Sequence, residues 1–170
     1  MAATGDDWAV ARVAGVNGVH WARPDLTLTQ NVGLGNFAVA AARALVQGQP
    51  FTVWEGEVNT RGTLTLASEI GEMIVRIVER DGRGIYHCCG GESMTRLELA
   101  RATASAFELD ADLIRVGPVD PAEASNMRGI PIPRDTSLDA TYTAGQLAYR
   151  PPNAAEALAK LRQQMETGEI

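Results

Sequence analysis

Aromatic side chains are scarce in this chain: Phe, Trp and Tyr together make up 5% of 170 residues, whereas apolar residues make up 45%. The shortage argues against an aromatic-rich β-sandwich, and the surplus of Ala, Val and Leu suits helices packed on a sheet, an α/β class. Cysteine is nearly missing, and the only two, Cys88 and Cys89, are neighbours. A disulfide needs Cα atoms roughly 4.4 to 6.8 Å apart with converging Cβ vectors, so no structural bridge is expected between them. With His87 they suggest a metal site, but successive strand residues face opposite ways and the only other histidine, His20, lies far off in sequence. Burial in a strand is the simpler expectation for both thiols.

Positive charge is also short. The formal net charge is −6, the pI is near 4.9 and lysine occurs once, at Lys160. A nucleic-acid partner would need a basic face, so none is expected. No run approaches the roughly 20 apolar residues of a membrane span. The acidic start MAATGDD lacks the basic region of a signal peptide, which places the chain in the cytoplasm. One domain over residues 1–170 is the expectation from length.

What is present reads as strands and helices in alternation. WAVARVAGV, residues 8–16, has the pattern of a strand buried on both faces of a parallel sheet, interrupted only by Arg12. Residues 19–35 show no helical period and read as a long loop. Asn36 stands as N-cap of a helix over FAVAAARALVQ, with Gly48 at its left-handed C-terminal cap. FTVWEG follows as a β segment. Leu66, Ile70, Met73, Ile74, Ile77 and Val78 then form one stripe of a helix ending near Gly82, read as core. GIYHCCG is a second buried strand, and TRLE at 95–98 is a capping box opening a helix to about Phe107. DLIRVGPV is a short strand, residues 117–137 a proline-rich loop, and Asn153 with Glu156 caps a last helix through Leu158, Leu161 and Met165.

Complete catalytic motifs are lacking: there is no G-x-G-x-x-G after a first strand, no P-loop, no G-x-S-x-G and no H-E-x-x-H. GLGNFA at 33–38 places two glycines before a helix N-terminus, which reads either as a phosphate contact or as the plain start of a helix. Asp6 and Asp7, and likewise Asp110 and Asp112, read as solvated acids of a terminus and a turn. Arg61, Arg128 and Arg134 fall in loops, where they either grip phosphate bidentately or brace a loop through a salt bridge.

Taken in order, ARVAGVNG, GNFAVAAARAL, TRGTLTLASEIGEMI, GIYHCCGGE, PRDTSLD and LAYRPPNAAEAL resemble successive motifs of the carboxyl-terminal half of extended short-chain dehydrogenase/reductases. The nearest group is that of the dTDP-4-dehydrorhamnose reductases and NAD-dependent epimerases. The counterparts are R-x-x-x-V-Y-G, the helix after it, A-P-T-x-x-x-D-L-A, G-x-Y-H-x-x-G, R-P-x-D-x-S-L-D and L-G-Y-x-P. Asn17, Leu64, Glu69 and Ile132 stand where that pattern has Tyr, Pro, Asp and Arg.

The resemblance implies the last strands of a Rossmann-like parallel sheet with helices and a small substrate-binding subdomain. It implies a nucleotide-sugar reductase using NAD(P), whose amino-terminal dinucleotide half and Tyr-x-x-x-Lys pair are absent from these residues. No tyrosine here has a lysine four positions later. No cofactor is therefore expected on this chain alone, and no residue in it is expected to be catalytic. Asn36, Phe37, Arg61, Thr65 and Arg134 are the expected substrate contacts, the arginines on a diphosphate and the Asn36 region on sugar or base. The alternative is a noncatalytic binding or regulatory module of the same fold. In the family the strands matching residues 8–16 and 84–89 are neighbours, and the outer side of the first pairs with the other half. A second copy or that missing half is therefore the expected partner.

Overall fold

The computed structural model describes residues 7–20, 22–23, 30, 34–56, 58, 60–119 and 133–169. In chain order these form β1 (Ala9–Val13), β2 (Val16–Asn17), α1 (Phe37–Val46), β3 (Phe51–Glu55), β4 (Arg61–Thr63), β5 (Thr65–Leu66) and α2 (Ala67–Glu79). After them come β6 (Gly84–Cys88), β7 (Ser93–Thr95), α3 (Arg96–Ala106), β8 (Ile114–Pro118), α4 (Thr141–Leu147) and α5 (Ala154–Thr167). The strands pair two by two: β1 with β6, β2 with β5 and β3 with β8 run parallel, whereas β4 with β7 is antiparallel.

The 8–16 segment departs from the expected buried strand in two ways. It breaks at Gly15, whose φ of 45° lies in the left-handed region and turns the chain from β1 into β2. All of β1 is exposed, because among the described residues it has a strand on one side only. Its apolar sequence encodes an extended, pairing segment; what covers the faces is decided by other elements.

Two clusters of buried side chains hold the fold. The larger packs α1, α3 and α5 on β3, with Phe37, Val39, Leu45, Val53, Leu99, Leu158 and Leu161 in its centre. Each buried Leu or Phe contributes roughly 1.5 to 3 kcal/mol of burial free energy. The smaller joins Ile70, Met73 and Ile77 of α2 to Tyr86 and Cys88 of β6 and to Leu147 of α4. Only one side of the expected α2 stripe is therefore core. Ile74 and Val78 are exposed, since α2 meets β6 along Ile70, Met73 and Ile77 and turns the next positions outward.

Both expected capping boxes are formed. Thr95 Oγ1 accepts from the Glu98 amide at 3.2 Å while Glu98 accepts from the Thr95 amide at 2.7 Å. Asn153 and Glu156 do the same at 2.9 Å each. Arg150 also donates to Glu156, and these bonds hold its carboxyl down to about 2. At α1 the expectation fails in mechanism. Gly48 is left-handed as expected, but Asn36 has φ 56° and its side chain caps nothing. An N-cap side chain reaches first-turn amides from extended backbone, and Asn36 is not extended.

The cap comes from Asn17 instead, whose Oδ1 accepts from the Ala38 amide at 2.9 Å. Its Nδ2 donates to the Gly15 and Leu34 carbonyls at 2.7 and 3.3 Å. With 1% of Asn17 exposed, water cannot replace these bonds. Asn17→Ala is expected to lower stability by about 2 kcal/mol, read from the urea midpoint at constant slope. A midpoint within error of the parent would refute the remote cap.

Helix α4 carries no periodic signal, and its β-branched and glycine content argues against a helix. It forms because Asp139 accepts from the Thr141 amide at 2.7 Å and because Leu147 and Thr143 are buried.

Candidate functional site

Segment 134–140 lies along β4 and crosses the carboxyl ends of β1 and β6. The Thr60 and Arg61 amides donate to the Arg134 carbonyl at 2.9 and 3.0 Å, and the Thr136 amide to the Arg61 carbonyl at 3.0 Å. Thr63 Oγ1 then accepts from the Leu138 amide at 3.1 Å and donates to the Leu138 carbonyl at 3.3 Å. His87 Nδ1 lies 3.0 Å from the Asp139 carbonyl, and the Cys89 thiol donates to the Leu138 carbonyl at 3.6 Å. Small and hydroxylic residues suit this role, since the segment is anchored through its backbone.

Two open grooves flank the segment and share Leu138. One, about 430 Å³, runs between Arg12–Gly15 at the end of β1 and Thr136. The other, about 320 Å³, lies between Gly90–Ser93 beyond β6 and Ser137–Ala140. Both sit where open α/β sheets present ligand sites, outside the carboxyl ends of parallel strands. Packing requires glycine at 90, where a Cβ would stand 2.2 Å from the Leu64 carbonyl oxygen, and leaves little room at Gly91, where one would stand 3.0 Å from that of Pro151.

Two carboxylates beside the grooves, those of Asp135 and Asp139, are tied into local turns. Asp135 accepts from the Ser137 amide and hydroxyl at 2.9 and 2.5 Å, and Asp139 caps Thr141. These bonds hold both carboxyls below their usual range, so they are anionic at neutral pH. Burial pushes the Cys89 thiol up to about 11 and raises Cys88 as well, so neither is a nucleophile near pH 7. The cysteines are buried and free, as expected, and among the described residues no cluster of His, Cys, Asp or Glu suits a metal ion. The site offers hydroxyls, backbone groups and arginine cations: equipment for holding a polar ligand.

The structure scatters the five residues expected to contact substrate. Arg61 and Arg134 are joined through their backbones at one end of the 134–140 segment. Arg61 lies in β4 rather than a loop, and its guanidinium donates to Ser93 at 3.0 and 3.3 Å and faces Glu98 at 3.8 Å. Arg134 is exposed, and Arg128 lies outside the described residues. Asn36 is half-buried at the start of α1, its amide donating to the Val16 carbonyl at 2.8 Å.

Phe37 and Thr65 are withdrawn from any surface. Phe37 packs edge-on against Phe51 in the core, and Thr65 Oγ1 accepts from the Gly90 amide at 3.1 Å. A ligand contact by either side chain is closed off in this structure. Sequence reasoning passed over Arg12, Thr136, Ser137 and Leu138. The signal was there: Arg12 is the lone charge in an apolar run, and Ser, Thr and Asp crowd residues 135–139.

The fold is mixed α/β and Rossmann-like. It matches solved nucleotide-sugar reductases and epimerases at low identity. The dTDP-4-dehydrorhamnose reductase of Bacillus anthracis, in complex with NADP, superposes with a TM-score of 0.63 at 17% identity over 95% of this chain and 49% of that one. The Thermus thermophilus UDP-glucose 4-epimerase, in complex with NAD, gives 0.69 at 16% over 96% and 48%. A hypothetical dTDP-4-dehydrorhamnose reductase from Sulfolobus tokodaii gives 0.60 at 23% over 89% and 46%. The chain thus spans about half the length of the solved structures it matches. No protein family's sequence model matches it. No curated protein matches it in sequence. Among the described residues no helix is long and apolar enough to cross a membrane.

Proposed function

We propose that this chain is the substrate-binding portion of an NAD(P)-dependent nucleotide-sugar reductase of the dTDP-4-dehydrorhamnose type, and that it performs no turnover alone. The observation that carries the reading is the pair of grooves at the carboxyl ends of β1 and β6, on either side of the anchored 134–140 segment. A sugar presents hydroxyls to Ser93, Thr136 and Ser137, and its diphosphate meets Arg134 with Arg61 beside it. Asn36, at the start of α1, is the contact proposed for sugar or base. Hydride transfer needs a dinucleotide and a positioned proton donor, which other residues of a complete enzyme supply.

The second reading, a noncatalytic or regulatory binding module, draws on the carboxylates and thiols around the grooves, which are held by hydrogen bonds or burial away from acid–base work. Calorimetry with a dTDP-sugar and incubation with NADPH and 4-keto sugar nucleotides test both. The expected result is weak binding without turnover, reduced about tenfold or more in the Arg61→Ala, Arg134→Ala double variant. Turnover that survives repurification, or an affinity unchanged in the double variant, would overturn the proposal. Restoration of reductase activity on adding a dinucleotide-binding half would separate the first reading from the second.

A further inference from the structure

We propose that Glu69 is a positioning residue for the groove between Gly90–Ser93 and Ser137–Ala140, acting through Tyr149 on the glycine wall of that groove. The proposal rests on the ligand reading above for what the groove is used for, whereas the contacts it draws on lie behind the wall and within this chain. Glu69 stands in the first turn of α2 with 7% of its surface exposed. Both of its oxygens are engaged: the Tyr149 hydroxyl donates to Oε2 and the Lys160 ammonium of α5 to Oε1. Arg76 lies over the Tyr149 ring, its guanidinium 5.2 Å from the ring centre. Such a network is a poor source of stability, because desolvating a carboxylate offsets much of what an ion pair returns. What it supplies is direction. Helix α5 is docked without it: Leu158 and Leu161 sit in the larger cluster, and Gln164 Nε2 donates to Ser68 Oγ at 3.1 Å. Tyr149 is the residue it orients. The Tyr149 amide donates to the Ala144 carbonyl at 3.1 Å, the hydroxyl is fixed by Glu69, and between α4 and this residue Ala148 is left-handed at φ 45°, a conformation disfavoured for a residue with a Cβ.

The two glycines of the wall have different holders. The Gly90 amide donates to Thr65 Oγ1 at 3.1 Å, in the strand that leads directly into α2. The Gly91 amide donates to the Pro152 carbonyl at 2.9 Å, and Glu92 Oε2 accepts from the Ala154 amide at 3.1 Å. The close approaches divide the same way, Gly90 against the Leu64 carbonyl and Gly91 against that of Pro151. Position 90 is therefore fixed by residues 64–65, and positions 91 and 92 by residues 151–154. Glu69, three residues beyond Leu66 in α2, ties the first holder to the second by its bond to Tyr149. When the Tyr149 hydroxyl lets go, segment 149–154 shifts against β5. Gly90 is buried and continuous with β6, so it stays, and the bonds of the exposed Gly91 and Glu92 open instead. The wall from 91 to 93 then loses its backing, and the groove widens on the side facing Ser137.

Amide hydrogen exchange, followed residue by residue by NMR, tests the wall without any ligand. Tyr149→Phe removes one hydroxyl and keeps the ring under Arg76. The Gly91 and Ala154 amides are expected to exchange about tenfold faster, while those of Gly90 and of Leu45 in the core keep their rates within about twofold. Glu69→Ala should give the same pattern. In the double variant the Gly91 rate should be no faster than in Glu69→Ala alone, because the hydroxyl has already lost its acceptor. Calorimetry with dTDP-glucose should then show binding about fivefold weaker in Tyr149→Phe than in the parent. Equal acceleration at Gly90, Gly91 and Leu45 would mean general destabilisation and would overturn the proposal, as would an unchanged Gly91 rate in Tyr149→Phe. Additive rates in the double variant would place the action of the hydroxyl elsewhere, with the same consequence. An affinity that holds while Gly91 loosens would separate the wall from the ligand and overturn it too. A parent that binds no dTDP-glucose counts against the ligand reading alone, since the exchange rates decide the positioning of the wall by themselves.

Discussion

Gly15→Ala should destabilise the fold by about 4 kcal/mol and lower its melting temperature by about 10 °C. Two effects add. The left-handed φ of 45° costs any residue with a Cβ about 1 to 2 kcal/mol. The new Cβ would also stand 2.2 Å from the Thr63 carbonyl oxygen, a backbone atom that cannot rotate away, and relieving such overlap costs about 1 to 3 kcal/mol more. The shift would pull on the Thr65 amide and on Asn17 Nδ2, which both donate to the Gly15 carbonyl. Gly48→Ala is the internal control. It shares a positive φ, 66°, but a Cβ there meets nothing within 4 Å, so only the conformational cost of about 1 kcal/mol remains. Equal losses in the two variants would show that Gly15 and Thr63 of β4 do not approach as closely as described.

Arg96→Ala comes next, with an expected loss of about 3 kcal/mol. Arg96 opens α3 with 2% of its surface exposed, and burial lowers its guanidinium to about 10. The charge is tolerated because the group lies over two aromatic rings, 5.5 Å from the Phe37 centroid and 5.8 Å from that of Trp54. It also donates to Gln30 Oε1 at 3.4 Å. Alanine leaves a void lined by both rings and strands Gln30. Arg96→Met refills most of the volume without the charge. A buried cation's desolvation offsets much of what its contacts return, so methionine should recover at least half of the loss. Chemical denaturation of both variants decides it: methionine as damaging as alanine would assign the stability to the charge, and an undisturbed alanine variant would remove Arg96 from the core.

The parts of the fold legible in the sequence were those fixed by nearest neighbours along the chain. Thr95 with Glu98 and Asn153 with Glu156 sit three residues apart, and that spacing suffices to close a capping box. The strand character of residues 9–13, 51–55 and 84–88 was equally local. What the sequence left open depends on distant residues. Asn36 occupied the right position for a cap, yet the bond to the Ala38 amide comes from Asn17, 21 residues earlier. Ile74 and Val78 matched the helical stripe, but a stripe does not say how wide a surface the neighbouring strand can cover. At the site, Phe37 and Thr65 were chosen from motif position, and burial withdrew both. Arg12 and the 136–138 residues join only when the segment after the proline-rich stretch folds back along β4.

The buried cysteines at the end of β6 have a use that their chemistry makes plain. With its thiol raised by burial to about 11, Cys89 is held as the neutral thiol at neutral pH. Its sulfur also donates to the carbonyl of Leu138, in the segment that borders both grooves. A thiol reagent therefore stays idle until that segment lifts, and the labelling rate becomes a clock for its opening. A ligand that seats itself in the grooves slows the clock without having to be consumed.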